Sequence, residues 1–224
     1  VCEGCGDCSV KSNCLSVEPV ETDLGRKRRI NQSTCNTDLS CLKGFCPSFV
    51  TITDGEPAWE DQERPAFSAD GLPLPETPSL AQPYNVLFTG VGGTGVTTVA
   101  AVLAMAAHVD GHAASSLDMT GLAQKGGPVL SHIRFAREPE QISTGRVPPA
   151  SADVVIACDL VVAAGGDALN LMDAERTAAY ANSDVTPTSE FIRNRSKRFE
   201  SDLLSARVKR QASEFDTFDA EALA

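Results

Sequence analysis

The sequence lacks a long apolar stretch and an excess of positive charge. A membrane-spanning helix needs about 20 consecutive apolar residues, whereas the apolar stretch after Gly95 is interrupted by His108 and Asp110. The formal net charge is −11 over 224 residues, and an acidic chain binds the phosphates of nucleic acids poorly. We therefore predict no membrane segment and no nucleic-acid partner.

Histidine is also scarce, whereas cysteine is concentrated at one end. The three histidines all lie at or beyond His108, while seven of the eight cysteines fall within the first 46 residues. An odd number of cysteines would leave one without a disulfide partner, and disulfides need an oxidising compartment. Since no secretory signal is apparent, we predict reduced thiols and a cytoplasmic location.

The spacing of these cysteines predicts an iron–sulfur cluster. Three of them are separated by two-residue gaps, and a later one is followed by proline, which is typical of a [4Fe–4S] site. Gly4 and Gly6 allow tight turns that point backbone N–H groups at the sulfurs. On the bacterial two-cluster pattern, one cluster is held by Cys2, Cys5, Cys8 and Cys46.

The other three cysteines of the block leave the number of clusters open. A second cluster would use Cys14, Cys35 and Cys41, which is one thiolate short, so a non-cysteine or external ligand would have to complete it. A single cluster is the alternative. A structural zinc site needs only four ligands, usually as two separated Cys-x2-Cys pairs, and would make this part a zinc-stabilised interaction module.

The chain divides into three regions. We predict a cysteine-rich module at 1–53, a linker at 54–83 that holds six of the 13 prolines, and an α/β domain at 84–224. The fold class is therefore α/β, with a small ferredoxin-like iron–sulfur module before a Rossmann-like or flavodoxin-like parallel sheet. The predicted strands are 49–53, 85–89, 113–117, 129–135, 154–157 and 178–182. The predicted helices are 96–107, 160–172 and an amphipathic helix along the C-terminal tail.

A glycine-rich turn lies between the strand at 85–89 and the helix at 96–107. Its glycines, Gly90, Gly92, Gly93 and Gly95, satisfy the Gly-x-Gly-x-x-Gly pattern of dinucleotide sites. Asp118, at the end of the next strand, is a candidate partner for a ribose. These residues give one hypothesis, a dinucleotide-linked iron–sulfur oxidoreductase. The alternative is a turn that needs glycine only for packing.

A second glycine-rich stretch, 119–128, follows the strand at 113–117 and is predicted to lie at the same sheet edge. Within it, Gln124 and Lys125 are candidate contacts for an anionic group, and a plain loop is the alternative. His132 falls inside a predicted strand and is interpreted as a core residue.

Two blocks of the sequence resemble one known family. The segments 2–14, 25–33 and 41–49, which include Cys-Glu-Gly-Cys-Gly-Asp-Cys and Cys-Leu-Lys-Gly-Phe-Cys-Pro, closely resemble fused indolepyruvate ferredoxin oxidoreductases. The segments 87–96 and 121–127 resemble the gamma domain of 2-oxoacid:ferredoxin oxidoreductases. The resemblance covers most of the chain except the linker and the last thirty or so residues.

The resemblance implies an oxidoreductase that decarboxylates aryl pyruvates on thiamine diphosphate and magnesium, transfers the acyl group to coenzyme A and reduces ferredoxin. Residues 84–224 would be the gamma domain, in which the glycine turn is not an established dinucleotide site. The thiamine-binding domains are missing from these residues, so they would be partners and this chain alone would be inactive. Because the chain begins with Val and its first candidate ligand is Cys2, we expect a fragment of a longer protein. We also expect that protein to be a homo-oligomer. The basic run 26–29 is either a solvated loop or a docking patch for ferredoxin.

Overall fold

The computed structural model describes residues 2–32, 34–55, 71, 73–74, 77–122, 126–183 and 200–220. The cysteine-rich part begins with helix α1 (Asp7–Ser12), followed by an antiparallel hairpin of β1 (Val17–Thr22) and β2 (Gly25–Ile30) and by a 3-10 turn at Ser40–Lys43. Helix α1 packs against that 3-10 turn.

The α/β part contains one six-stranded sheet with the strand order β4-β5-β3-β6-β7-β8. Its strands are β3 (Tyr84–Val91), β4 (Ala113–Thr120), β5 (Pro128–Ala136), β6 (Val154–Ala157), β7 (Ala178–Asn182) and β8 (Glu214–Phe218). The helices among its described residues are α2 (Val96–Val109), α3 (Leu160–Ala163), α4 (Gly166–Leu169) and α5 (Ser201–Lys209), and a 3-10 turn covers Pro139–Gln141.

The central strand β3 is buried along nearly its whole length, as expected of a strand covered on both faces. Val86 and Phe88 point to the face covered by α2, where they pack with Ala100. Leu87 and Val91 point to the opposite face, into a core that includes residues of α3, α4 and α5. The result is a sheet between two helical layers, which confirms the predicted α/β class.

The sheet is mixed rather than wholly parallel. Strands β3, β6, β7 and β8 pair in parallel, whereas β5 pairs antiparallel with both β3 and β4. Strand β5 follows β4 in the sequence and lies between β4 and β3 in the sheet. The connection from β3 through α2 to β4 therefore passes over the position that β5 occupies. Alternation of strands and helices along a sequence does not reveal such an insertion, because it depends on pairing between distant segments.

Three predicted elements differ in the structure. The helix predicted at 160–172 is divided into α3 and α4, because the backbone of Gly165 is extended rather than helical. Glycine suits this position, since a Cβ would lie only 3.0 Å from the Val162 carbonyl oxygen. The helix predicted along the tail ends at Lys209, and Phe215 lies in the edge strand β8, where pairing with β7 supplies its backbone partners. The strand predicted at 49–53 is not formed, and Val50 and Ile52 are exposed.

No helix in the described ranges is long and apolar enough to cross a bilayer. The described end of the predicted linker is held by Gln141, whose Nε2 donates to the Leu80 and Ala81 carbonyls at 3.4 and 3.2 Å. Residues 56–70 of that linker lie outside the described residues.

A buried carboxylate joins the central strand to α3. Asp159, the N-cap residue of α3, accepts hydrogen bonds from the Val161 and Val162 N–H groups at 2.8 and 3.0 Å, and from the Val91 N–H at 2.6 Å. Burial raises the pKa of the Asp159 carboxyl, while these three N–H groups act in the opposite direction. The contact fixes the end of β3 where the glycine turn begins.

We predict that replacing Asp159 with Ala lowers the free energy of unfolding by about 3 kcal/mol, because it leaves buried N–H donors without an acceptor. Urea denaturation checks the value. Asp167→Ala is the matched control, since that carboxylate is exposed at the start of α4, and should change stability by less than about 0.5 kcal/mol. Equal effects of the two substitutions would contradict the assigned role.

Candidate functional site

The fold brings Cys46 close to the first cysteine triplet, although it is far away along the chain. Burial raises the pKa of the Cys8 thiol, hydrogen bonds at Ser9 lower it, and the neighbouring Cys46 and Cys2 raise it further. A Cβ on Gly44 would lie 3.4 Å from the Cys8 backbone nitrogen, so the segment that leads to Cys46 runs beside the first triplet. Cys5 is exposed on the same loop.

Backbone N–H groups point at the Cys2 sulfur. The Gly4 and Arg28 N–H groups each donate to the Cys2 Sγ at 3.3 Å. Gly4 has φ +74°, and a Cβ there would collide with the carbonyl oxygen of Arg26, so only glycine fits between the triplet and β2. Hydrogen bonds to ligating sulfurs help to set the potential of an iron–sulfur cluster, and the donors here suit a thiolate ligand.

The second predicted group is also brought together. Burial raises the pKa of the Cys41 thiol, a backbone hydrogen bond lowers it, and Cys14, Cys35 and Asp38 each raise it. The Cys35 Sγ accepts a hydrogen bond from the Thr37 N–H at 3.4 Å. The pKa of the Cys41 thiol thus responds to the two cysteines assigned with it to the second group, and their joint role as cluster ligands stays a prediction.

Among the described side chains, no three Cys, His, Asp or Glu residues converge tightly enough to bind a single metal ion. The chemistry of the donors is nevertheless of the kind that an iron–sulfur cluster uses: thiols that accept backbone N–H hydrogen bonds, at Cys2 from Gly4 and Arg28 and at Cys35 from Thr37.

The basic run 26–29 forms strand β2 rather than a solvated loop. Arg26 pairs with Glu21 at 2.6 Å, and Arg29 pairs with Glu18 at 3.1 Å, both across the hairpin. The charges of these two arginines are therefore partly balanced within the hairpin, which reduces the positive surface that the run presents to a partner.

The glycine turn is closed by bonds within the protein. The Val91 N–H donates to Asp159, the Gly92 N–H to the Gly127 carbonyl at 2.7 Å, and the Thr94 N–H to the Val91 carbonyl at 3.1 Å. A Cβ on Gly90 would meet the Val96 side chain, Thr94 Oγ1 and Cys158 Cβ. These contacts favour the packing interpretation of Gly90 and Gly92 over a dinucleotide cradle.

The second glycine-rich stretch lies beside the first turn, as predicted, because the Gly126 N–H donates to the Gly92 carbonyl at 3.2 Å. Gln124 and Lys125, predicted as anion contacts, lie outside the described residues. Asp118, predicted as a ribose partner, accepts from the Ser131 hydroxyl at 2.5 Å. It lies on β4, which β5 separates from β3.

Leu15 joins the cysteine-rich part to this sheet edge. Its methyl groups lie 3.2 Å from the position of a Cβ on Gly93 and 3.7 Å from that of a Cβ on Gly126. Leu15 packs against the core on the Leu87 side of the sheet. Gly93 and Gly95 both have positive φ, +104° and +83°, so glycine serves the turn there as well. Spacing rules missed this contact, because a lone leucine beside a cysteine carries no motif.

His132 is fully buried in β5, as the sequence predicts for a core residue. Its Nδ1 accepts from the Val147 N–H at 3.2 Å, and its Nε2 has no partner among the described residues. Burial and, secondarily, Arg146 lower the pKa of the imidazole. The ring is therefore held neutral in the folded chain.

We predict that Gly90→Ala lowers the free energy of unfolding by about 2 kcal/mol, because the added methyl group overpacks the turn. Gly166→Ala is the control, since nothing lies within 4 Å of a Cβ there, and it should be neutral or slightly stabilising. Urea denaturation compares the two variants. If the Gly90 variant matched the control in stability, the packing interpretation would be wrong.

We also predict that stability falls as the pH drops below about 6.5. Because the pKa of His132 is lowered in the folded chain, the unfolded chain takes up the proton first as the pH falls. The free energy of unfolding therefore begins to decrease near the pKa of the unfolded chain and continues to decrease down to the pKa of the folded chain. The slope reaches at most about 1.4 kcal/mol per pH unit for one group. His132→Gln should reduce this dependence, whereas His108→Gln, at an exposed position, should retain it; stability measured at several pH values decides.

Comparison with known proteins places these observations in a family. The pyruvate ferredoxin/flavodoxin oxidoreductase family matches residues 85–224. Indolepyruvate oxidoreductase subunit IorB of Thermococcus kodakarensis is 35% identical over 80 residues, and that of Pyrococcus horikoshii is 34% identical over 80 residues. Each match covers 36% of this chain and 38% of the relative.

Solved structures from related systems also align with the chain. Pyruvate oxidoreductase subunit PORC of Thermotoga maritima aligns with a TM-score of 0.39 and 17% identity, over 62% of this chain and 63% of that one. The gamma subunit of a keto/oxoacid ferredoxin oxidoreductase from Geobacter sulfurreducens aligns with a TM-score of 0.35 and 23% identity, over 47% and 53%. The family match spans more than half of the sequence, and the chain belongs to the pyruvate ferredoxin/flavodoxin oxidoreductase family.

Proposed function

We propose that the chain is the iron–sulfur and gamma-type segment of a 2-oxoacid:ferredoxin oxidoreductase that acts on indolepyruvate or related aryl pyruvates. Family membership supports the oxidoreductase role. The names of the curated relatives support indolepyruvate as the substrate. The observation that carries the electron-relay role is the pair of backbone N–H donors on the Cys2 sulfur, in a loop whose helix α1 packs against the 3-10 turn that leads to Cys46.

In this proposal Cys2, Cys5, Cys8 and Cys46 hold a [4Fe–4S] cluster. A bound cluster supplies one-electron storage at a potential set by its ligands, hydrogen bonds and exposure. The protein's part is to fix the thiolates and their donors: Gly4 turns the loop, Arg28 donates from β2, and the 3-10 turn beside α1 positions the segment leading to Cys46.

The α/β part contributes assembly rather than chemistry. Helix α2 leaves Val99, Val102, Met105 and Val109 exposed, by 47 to 77%, and these residues recur along one side of the helix. Apolar helix surface of this kind suits packing against other domains of a larger enzyme. The thiamine diphosphate and magnesium sites belong, in this proposal, to those other domains, and ferredoxin is the electron acceptor.

We predict that the chain purified without oxygen is brown and carries iron and sulfide in equal amounts, and that dithionite bleaches its absorption. Cys46→Ala should lose between about one and four irons per chain, since three thiolates can still hold a three-iron cluster. Cys158→Ala is the matched control, because Cys158 lies on the α/β part and packs in its core, and it should retain all the iron.

A colourless protein carrying one zinc would contradict the relay and favour the zinc-stabilised module. Full iron content in the Cys46 variant would also contradict the proposal, since it would place the fourth ligand elsewhere. Elemental analysis and absorption spectra of the two variants and the unaltered chain distinguish these outcomes.

A further inference from the structure

The second cysteine group repeats the spacing of the first, with one exchange. The first triplet is Cys2-x2-Cys5-x2-Cys8, and the later segment reads Cys35-x2-Asp38-x2-Cys41. Asp38 therefore occupies the position that Cys5 holds in the first triplet. The thiolate that the second group lacks is matched by a carboxylate at the equivalent place in the spacing.

The backbone takes the same left-handed conformation at equivalent positions of both segments. The residue two places after the first cysteine is left-handed in each, Gly4 at φ +74° and Thr37 at φ +59°. Each of these residues donates its N–H to that cysteine's sulfur, at 3.3 Å from Gly4 and 3.4 Å from Thr37. Left-handed backbone is uncommon outside glycine, so its recurrence at Thr37 shows that the loop geometry is maintained without glycine.

The equivalence continues to the end of each triplet. Gly6, which follows Cys5, is left-handed at φ +74° and is the N-cap residue of α1. Leu39, which follows Asp38, is left-handed at φ +56° and is the N-cap residue of the 3-10 turn. These two helical elements pack against each other. The two segments thus share a backbone pattern, and the helical elements that follow them are in contact.

We propose that Asp38 is the fourth ligand of a second iron–sulfur cluster, which it holds together with Cys14, Cys35 and Cys41. This inference rests on the proposed function, because it takes the first group as a cluster site. It assigns a ligand to the second group, which is one thiolate short.

The surroundings of Asp38 suit that role. Its Oδ1 accepts from the Ser40 N–H at 2.9 Å and from the Ser40 hydroxyl at 2.7 Å, which orients the carboxylate as hydrogen bonds to ligating groups commonly do. Ser40 begins the 3-10 turn that also carries Cys41. The Asp38 carboxylate is therefore held to the same element as one of its proposed co-ligands.

A carboxylate ligand makes one iron of the second cluster different from the rest. Oxygen is a harder donor than thiolate, and cluster irons prefer soft sulfur ligands. The iron on Asp38 is therefore the one most easily removed by a chelator, leaving a three-iron cluster, whereas the first cluster keeps four thiolates and resists this loss.

The test uses the full chain, reconstituted anaerobically with isotope-enriched iron and sulfide, with iron analysis, Mössbauer spectra and electron paramagnetic resonance as readouts. We expect about eight irons per chain, one of which has an oxygen-type Mössbauer signature.

Asp38→Ala should bind about seven irons or fewer and, when oxidised, show the resonance of a three-iron cluster. Asp38→Cys should retain all the irons and lose the distinct site. Asp23→Ala, in the exposed turn of the hairpin, should match the unaltered chain.

The exchange can also be made in reverse. Cys5→Asp should give the first cluster the same oxygen-type iron, so the distinct site appears twice. Both Asp38→Cys and Cys5→Asp keep a metal-binding side chain at the substituted position. The results for these two variants therefore do not depend on whether the loop folds without its metal.

Three results would overturn the inference, each in a distinguishable way. Eight irons with unchanged spectra in Asp38→Ala would place the fourth ligand elsewhere. Four irons in the unaltered chain, unaffected by Cys14→Ala, would leave the first cluster and the proposed relay intact but remove the second site. A chain that binds no iron would remove both.

Discussion

The Asp159 carboxylate is the contact on which the shape of the sheet edge depends. By accepting the Val91 N–H and two N–H groups of α3, it fixes the end of the central strand to the helix that follows β6. The chain must then reverse from Val91 into α2 within four residues, and only a glycine-rich turn can do so. Burial of this carboxylate costs desolvation energy, which its three hydrogen bonds offset.

The turn, once fixed, becomes a docking point for the cysteine-rich part. Gly92 and Gly127 close the two glycine-rich loops onto each other, and the absence of side chains at Gly93 and Gly126 admits Leu15. Leu15 directly follows Cys14. The second cysteine group is therefore the one linked to the α/β part, while the first group lies against the hairpin through the contact of Arg28 with Cys2.

Much of this could be predicted from the sequence, where local pattern and chemistry coincide. Alternation of apolar strands and helices predicted the α/β class, whereas the two cysteine sets inferred from spacing stay predictions. The insertion of β5 and the strand at Phe215 could not be predicted, because both depend on edges supplied by distant segments. The glycine pattern was ambiguous for a different reason: glycine is required equally by a bound pyrophosphate and by close packing, and only the partners of Gly90 and Gly92 separate the two.

The cysteine-rich part holds seven cysteines, one thiolate fewer than two four-ligand clusters need. The backbone shows a repeated pattern, because Gly4 and Thr37, and then Gly6 and Leu39, are left-handed at equivalent positions. In the proposed assignment the two loops share this pattern and differ in one donor atom, a sulfur from Cys5 in the first and an oxygen from Asp38 in the second. Two clusters in such loops would have unequal stability and unequal potentials, and the order in which they accept electrons would follow from one residue in each loop.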